Sequence, residues 1–322
     1  MFKSRFTLYC LVVSVVVMVV KLSAVNPAEP VALLETHTLF TVYGRGFNLA
    51  PILGSLGTFK DFPSLESNIH AQVQEITSDN GGKPVATGIE LIYGMAVPCK
   101  DSGNCLDYLD ETTDVIARYI KPAEERGWEV VLDTQLGRSD PVAQVGHMMD
   151  RGYLNYDNVH LAIDPEFHVY SGRSLPGTPV GTVHAAEINQ VQAMLDDLVS
   201  RKHLRTKKIL IVHQFGDLAF RDGVPNMICD KTALKTFPNV ELVIDADGLG
   251  TPLVKVAKYN RITSNQVYSF IQFRGIKIFY RSPLEKNGHY DKPPMTLRQV
   301  FGLDSVSSGI RMRSQPDVII IA

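Results

Sequence analysis

The sequence predicts a (β/α)8 barrel of the TIM type. Short apolar runs alternate with amphipathic stretches along most of the chain, which indicates right-handed βαβ units and a parallel sheet. The runs are apolar throughout, as strands covered on both faces require. About eight such runs without an intervening linker fit a single barrel, which typically takes about 250 residues.

An open, doubly wound sheet is the alternative. Such a sheet commonly carries a glycine fingerprint after its first strand, where the backbone approaches a dinucleotide. Here Gly44-Arg45-Gly46 follows the first predicted strand, and the third glycine of the fingerprint is missing. We therefore favour the barrel.

The predicted strands and helices are distinguished by their hydrophobic periodicity. The strands are Thr38–Tyr43, Gly88–Tyr93, Trp128–Leu132, Val159–Ile163, Lys208–Val212, Val240–Ile244, one or two strands within Tyr268–Tyr280, and Asp317–Ile321. The helices are Pro63–Ile76, Tyr108–Arg126, Pro141–Leu154, Ala185–Leu204, a short helix that starts at Thr251-Pro252, and Thr296–Leu303. Together these elements place the barrel domain at residues 38–322.

The amino terminus reads as an export signal. Lys3 and Arg5 precede an apolar run to Val20, and the small residues before Ala24 suit cleavage there. We predict a signal peptide over residues 1–24 and a linker over residues 25–37. A retained membrane anchor is the alternative, because a run of this kind is close to spanning length. In both cases the barrel is expected to be exported, into the periplasm or the extracellular space.

Composition excludes one class of partner. The chain is 45% hydrophobic and 20% charged, with a net charge of -2, as in an ordinary globular protein. No basic stripe is interleaved with aromatic residues, so nucleic acid is not an expected partner. The only membrane contact expected is through the amino-terminal segment, if it is not cleaved.

The cysteines fit an oxidising compartment. Cys99 and Cys105 flank a turn-forming loop that a disulfide would close, and two free thiols are the alternative. Cys229 is expected to stay unpaired. No Cys/His cluster has the spacing of a zinc site, and we predict no metal and no cofactor. Aspartate and histidine on different strands would still suffice for one divalent ion, which stays as an alternative.

Polar residues follow the carboxyl ends of the predicted strands, and in a barrel these ends converge on one mouth. Substrate-binding roles are expected for the following residues: Arg45, Tyr93 (or Glu90 on the same strand), Asp133, Gln135, Arg138, His213, Gln214, Asp247 and Lys277. The mouth is therefore expected to be rich in carboxylates, which raise one another's pKa.

Three carboxylates are the candidate catalytic residues. Asp164 and Glu166 flank Pro165 at the end of the fourth strand, and on a continuing strand both would lean to one face. Paired carboxylates across a cleft are the apparatus of glycoside hydrolysis. We assign Glu166 as the acid/base and Asp245 or Asp164 as its partner. The structural alternative is that these carboxylates pair with Arg45, Arg138 or Lys277 and hold the barrel end together.

Several segments together are similar to a known group of proteins. They are Leu132–Asp140, Leu161–Phe167, Gly181–Asn189, Val212–Phe215 and Asp245–Gly250. The combination resembles a family of exported bacterial envelope proteins, often lipoproteins, with a glycosidase-like TIM barrel. The resemblance covers about residues 128–250 and implies export and the barrel fold. This chain departs from it by lacking a well-placed lipoprotein cysteine, because Cys10 lies inside the apolar run.

Three functions fit these observations. The first is a glycoside-hydrolase-like barrel that acts on an envelope or extracellular polysaccharide through carboxylates at its mouth. The second is a non-catalytic barrel that binds a glycan or another envelope component. The third is a metal-assisted phosphodiesterase. The sequence contains no Gly-x-Ser-x-Gly of a serine hydrolase and no glycine-rich nucleotide loop.

Overall fold

The computed structural model describes residues 29–49, 54–98, 103–169, 175–177, 180–215, 228–264, 270–281 and 289–322. The predicted signal or anchor segment, residues 1–24, and Cys99 lie outside these residues. In the described part of the chain, no helix combines the length and the apolar character needed to cross a membrane.

Eight parallel strands close into a barrel, which confirms the predicted fold. The strands are β1 (Thr38–Gly44), β2 (Val85–Ala96), β3 (Glu129–Thr134), β4 (Val159–Ile163), β5 (Lys208–Gln214), β6 (Val240–Ala246), β7 (Phe273–Ile278) and β8 (Val318–Ile321). Each strand pairs with the next, and β1 also pairs with β8, which closes the ring. The carboxyl ends of the eight strands therefore lie around one opening.

Side-chain alternation along the strands builds two apolar cores. Outward-facing residues such as Phe40 and Val42 pack under the surrounding helices. Inward-facing residues such as Leu39, Ile211 and Val243 fill the barrel itself. Because neighbouring residues of a strand point to opposite faces, each apolar strand contributes to both cores. This explains why the sequence shows continuous apolar runs.

Helices flank the barrel, and the first one lies at its amino-terminal end. They are α1 (Leu33–Thr36), α2 (Phe62–Asp79), α3 (Lys121–Glu124), α4 (Pro141–Asp150), α5 (Ala185–Lys202), α6 (Pro252–Ile262) and α7 (Leu297–Val300). Side-chain caps fix several amino termini: Asp61, Asp140, Thr251 and Thr296 each accept a hydrogen bond from the backbone of the first turn. Short 3-10 turns lie at Leu56–Thr58, Leu109–Glu111, Tyr153–Asn155, Pro165–Phe167 and Lys231–Ala233.

The predicted helix Tyr108–Arg126 is wrong in its first half. Leu106–Tyr108 forms a short strand antiparallel to β2, and a π-helical segment, Ile116–Ile120, then leads into α3. Pro122 has no N–H, so it cannot donate the i to i-4 bond that a regular helix needs at this point. A second short sheet pairs Val183–His184 with Ile228–Cys229 outside the barrel.

The amino-terminal end of the barrel is closed by α1, which lies inside the range predicted as a linker. Leu34 is fully buried and packs among the residues inside the barrel. The carboxylate of Glu241 on β6 accepts hydrogen bonds from the backbone N–H of Leu33 and Leu34, at 3.0 and 2.9 Å. The linker therefore ends before residue 33.

We expect Glu241→Ala to lower the free energy of unfolding by about 2 kcal/mol, because it leaves two backbone donors of α1 without an acceptor. Glu241→Gln keeps an acceptor oxygen and should lose clearly less. Chemical denaturation of both variants checks this prediction. An Ala variant within about 0.5 kcal/mol of the wild type would show that α1 does not depend on this side chain.

Candidate active site

A cavity of about 280 Å³ opens at the carboxyl ends of the strands. Its walls combine carboxylates, one lysine, one histidine and several aromatic rings. The lining residues are Tyr43, Gln135, Asp164, Glu166, Phe167, Phe215, Asp247, Gly248, Leu249, Lys277, Phe279 and His289. Five residues predicted for the mouth are among them: Gln135, Asp164, Glu166, Asp247 and Lys277.

The end of β4 turns sharply instead of continuing as a strand. β4 stops at Ile163, and Pro165–Phe167 forms a 3-10 turn. Asp164 caps this turn, because its Oδ1 accepts a hydrogen bond from the N–H of Glu166 at 3.3 Å. The expectation that both carboxylates lean to one face of a strand is therefore wrong, although both side chains reach the cavity.

Glu166 is the least constrained carboxyl of the cavity. Its side chain is half-buried, and within the described residues its carboxyl makes no hydrogen bond or ion pair. Burial, followed by the charges of Asp164 and Asp247, raises the pKa of Glu166 to about 9. A carboxyl in this environment carries a proton at neutral pH and is able to act as an acid.

Asp164 lies deeper than Glu166 and is almost fully buried. Burial and the neighbouring Asp133 raise the pKa of Asp164 to about 7. Burial also raises the pKa of Asp133 to about 6, against the opposing charges of His213 and Lys277. The third and fourth strands therefore each contribute a buried carboxyl, Asp133 and Asp164, that holds its proton more tightly than an exposed one does.

Asp247 has the opposite environment. Its Oδ2 lies 3.1 Å from Nζ of Lys277, and its Oδ1 accepts a hydrogen bond from the N–H of Gly248. Burial disfavours the charged form, but Lys277 and His213 outweigh it and lower the pKa of Asp247 to about 2. Gly248 has φ of +90° and lies against Phe215, so a side chain at this position would clash.

His213 links three strands beneath the cavity. Its Nδ1 lies 2.8 Å from Oδ2 of Asp245, and its Nε2 lies 3.0 Å from Oε1 of Glu90. Burial and Lys277 oppose protonation, but the hydrogen bonds to Asp245 and Glu90 prevail and raise the pKa of His213 well above its ordinary value. Thr41 donates to the other oxygen of Glu90.

Three further contacts support the floor and wall of the cavity. The hydroxyl of Tyr43 donates to Oδ2 of Asp133 at 2.9 Å, and Nζ of Lys277 lies 3.5 Å from the centre of the Tyr43 ring. The side-chain oxygen of Gln135 accepts a hydrogen bond from the N–H of Ala96. Gln135 therefore lines the cavity with its orientation fixed by β2.

Asp245 does not line the cavity, contrary to its assignment as a catalytic partner. The side chain is fully buried and hydrogen-bonds His213 below the floor. Gly275, its register partner on β7, leaves the space that the carboxylate fills. Because Asp247 is two residues further along, it points to the same side and reaches the mouth.

Tyr93, Arg45 and Gln214 also lie away from the cavity. Tyr93 points outward, and its hydroxyl donates a hydrogen bond to Asp110. It lies three residues after the inward-facing Glu90, so the alternation of the strand places it on the opposite face. Arg45 donates to the carbonyls of Ile92 and Tyr93 and pairs with Asp107. Gln214 donates to the carbonyl of His213.

Arg138, Cys105 and Cys229 also lie outside the cavity lining. Arg138 is half-buried outside the cavity lining, and its N–H donates to the carbonyl of Asn104. Cys105 is disulfide-bonded and Cys229 is free, as predicted for Cys229. Cys99 lies outside the described residues, so its pairing with Cys105 stays a prediction.

Some lining residues were not identified from the sequence. Tyr43 was predictable from the sequence, because every second residue of β1 points inward and Leu39, Thr41 and Tyr43 therefore share the inner face. Phe215 and Phe279 directly follow β5 and β7 and continue the alternation of the inward-facing His213 and Lys277, so the same signal was available for them. Phe167 lies in the 3-10 turn after β4 and His289 lies outside the strands, so neither carries this signal. Together with Tyr43 and Leu249, these four residues form the apolar and aromatic part of the lining.

No protein-family model matches this chain, and a search of curated proteins finds no significant match.

Two groups of buried side chains have the spacing of a cation site in the described part of the chain. They are Glu90, Asp133 and His213, and His213, Asp245 and Asp247. In each group the candidate ligand atoms lie within 4.8 Å of one another. In the second group, a carboxylate oxygen of Asp247 already forms an ion pair with Lys277. The first group is therefore the better candidate.

Proposed function

We propose that this chain is an exported hydrolase that cleaves a glycosidic bond in an envelope or extracellular polysaccharide. Glu166 acts as the general acid/base, and Asp247 acts as its ionised partner. One observation carries the proposal: Glu166, which has no cationic partner among the described residues, and Asp247, which is fixed by Lys277, line the same cavity. Asp247 replaces Asp245 in this role because only Asp247 borders the cavity.

Glycoside hydrolysis needs this asymmetry of charge. One carboxyl must deliver a proton to the leaving oxygen, while the other must be ionised to act as base or nucleophile. Environments that push two neighbouring pKa values apart produce such a pair. Burial keeps the proton on Glu166, whereas Lys277 holds the charge on Asp247.

The walls of the cavity suit a sugar. Phe167, Phe215 and Phe279 present apolar surface, and Gln135 adds an amide whose orientation is fixed by its hydrogen bond to Ala96. A sugar ring has apolar C–H faces and a polar edge of hydroxyl groups. Aromatic rings with a few convergent polar groups match such a ligand. The basic, apolar amino terminus and the resemblance to envelope proteins support a polysaccharide outside the cytoplasm.

A non-catalytic glycan-binding barrel is the second candidate. It is favoured by the ion pair of Asp247 with Lys277, because a binding site needs a fixed acceptor as much as a catalytic site does. The two candidates differ in one measurable respect. A binding protein tolerates the loss of an acidic proton at position 166, and a hydrolase does not.

The decisive experiment is a screen of the exported domain against envelope and extracellular glycans, with released reducing ends as the readout. Glu166→Gln should reduce turnover of the active substrate by about 10²- to 10⁴-fold, because it removes the proton donor. Glu66→Gln, an exposed change on α2, is the matched control. Turnover that survives Glu166→Gln would overturn the assignment, and binding without turnover would favour the second candidate.

The pH dependence of kcat/KM provides a separate prediction. The acid is protonated below its pKa, so activity should fall about tenfold per pH unit above about pH 9, where Glu166 loses its proton. A pH profile of the wild type on the substrate found in the screen checks this. An alkaline limb already complete at pH 6 would mean that another group supplies the proton.

A further inference from the structure

The cavity wall and the barrel interior beneath it together hold more acid than base. Among the described residues, the buried carboxyls there are Glu90, Asp133, Asp164, Asp245 and Asp247, and the buried cationic side chains are His213 and Lys277. Ionised carboxyls away from water are strongly unfavourable unless a cation or a proton neutralises them. The excess of carboxyls indicates that something besides His213 and Lys277 balances their charge.

We propose that Glu90, Asp133 and His213 bind one divalent transition-metal ion, Zn²⁺ or Mn²⁺, inside the barrel. The three residues come from β2, β3 and β5, and all three are buried. One nitrogen and two carboxylate oxygens form a mixed set that suits these ions better than the all-oxygen set preferred by Ca²⁺.

An oxygen without a partner points to the ligand. Oδ1 of Asp133 is buried and makes no hydrogen bond within the described residues, while Oδ2 of the same carboxylate is held by Tyr43. A buried carboxylate oxygen of this kind costs free energy unless it is occupied. A cation shared with Glu90 and His213 would occupy it.

The distances around His213 fit coordination. Nε2 of His213 and Oε1 of Glu90 are 3.0 Å apart. Ligand atoms that each lie about 2.1 Å from one ion are separated by about 3.0 to 3.4 Å. The other ring nitrogen, Nδ1, lies 2.8 Å from Asp245, which is the outer carboxylate that commonly orients a metal-binding histidine. In this arrangement the ion takes the place of the proton on Nε2.

The position of the ion sets its role. None of Glu90, Asp133 and His213 lines the cavity, so the ion does not meet the substrate. It instead ties β5 to β2 and β3 across the barrel. The inference is independent of the proposed hydrolysis, because it concerns the interior below Tyr43 and not the carboxylates above it.

The test uses the purified protein, stripped with a chelator and then dialysed against Zn²⁺ or Mn²⁺, with Ca²⁺ as the comparison ion. We expect one equivalent of bound metal by elemental analysis. At a metal concentration about 100 times Kd, Tm should rise by about 4 °C. Uptake of no metal at millimolar concentration, or equal uptake of Ca²⁺, would overturn the proposal.

Two variants locate the site. Asp133→Asn and His213→Gln preserve side-chain size and should each weaken binding by at least about tenfold, since one ligand is lost. Glu241→Gln, a buried change at the opposite end of the barrel, is the control and should bind as the wild type does. Circular dichroism verifies that each variant is folded. Unchanged binding by folded Asp133→Asn would place the ion elsewhere and overturn the assignment.

Discussion

Replacement of Lys277 by methionine is expected to lower the free energy of unfolding by about 3 to 5 kcal/mol. The ammonium group is almost completely buried, lies 3.1 Å from Oδ2 of Asp247 and contacts the face of Tyr43. Methionine retains most of the volume but removes the nearer cation from the buried carboxylate of Asp247, which is left with His213, 3.7 Å away, to offset its charge. Removing one partner of a buried pair is costly for this reason. Urea denaturation at neutral pH measures the change.

A second change separates charge from packing. Asp247→Asn in the Lys277→Met background removes the stranded charge, so the double variant should regain about half of the lost stability or more. Arg201→Met is the control, because Arg201 and Asp197 form an exposed pair on α5 and should contribute about 0.5 kcal/mol or less. If the double variant is no more stable than Lys277→Met alone, packing rather than charge explains the loss.

Replacement of Glu166 by glutamine is expected to stabilise the protein at pH 7 by about 2 kcal/mol, because solvent screening of the half-buried side chain reduces the roughly 3 kcal/mol that the full pKa shift would give. Burial and the neighbouring carboxylates raise the pKa of Glu166 far above the value of an unfolded glutamate. At pH 7 the unfolded chain therefore lowers its free energy by releasing this proton, and the folded chain cannot do so. Glutamine never ionises, so it removes this penalty while it also removes the proposed proton donor. Such a gain is typical of residues kept for activity at the expense of stability.

The sign of the pH dependence follows from the same shift. Between about pH 4.5 and pH 9 the folded state keeps a proton that the unfolded state has lost, so this group makes stability fall as the pH rises. The difference between Glu166→Gln and the wild type should be near zero at pH 4 and largest near pH 9. Denaturation curves at pH 4.5, 7 and 9 test this.

Glu66→Gln again serves as the exposed control for the stability series. We expect its difference from the wild type to stay within about 0.5 kcal/mol at all three pH values. A gain for Glu166→Gln that is the same at every pH would show that the carboxyl is not held protonated. In that case the role of Glu166 as an acid would fail even if the protein were a hydrolase.

Local sequence determined the barrel and the positions of its strands, although β3, β5 and β6 each extend two residues beyond the predicted end. The runs that became β1, β4, β5, β6 and β8 are readable because each must be apolar on both faces. The identity of Glu166, Asp164, Asp247 and Lys277 as mouth residues follows from the rule that carboxyl ends of parallel strands share one opening.

Only the tertiary structure decided which of these carboxyls meets the cavity and in which charge state. Asp245 and Asp247 look equivalent in the sequence, yet one lies under the floor with His213 and the other lines the wall with Lys277. The partners of both come from other strands, far away in the chain. Hydrophobic periodicity reports which face of an element is buried, whereas a pKa depends on the charges that other elements bring close. For this protein the fold could therefore be predicted from the sequence. The charge state of each carboxyl could be determined only from the closed barrel, which brings the charges of different strands together.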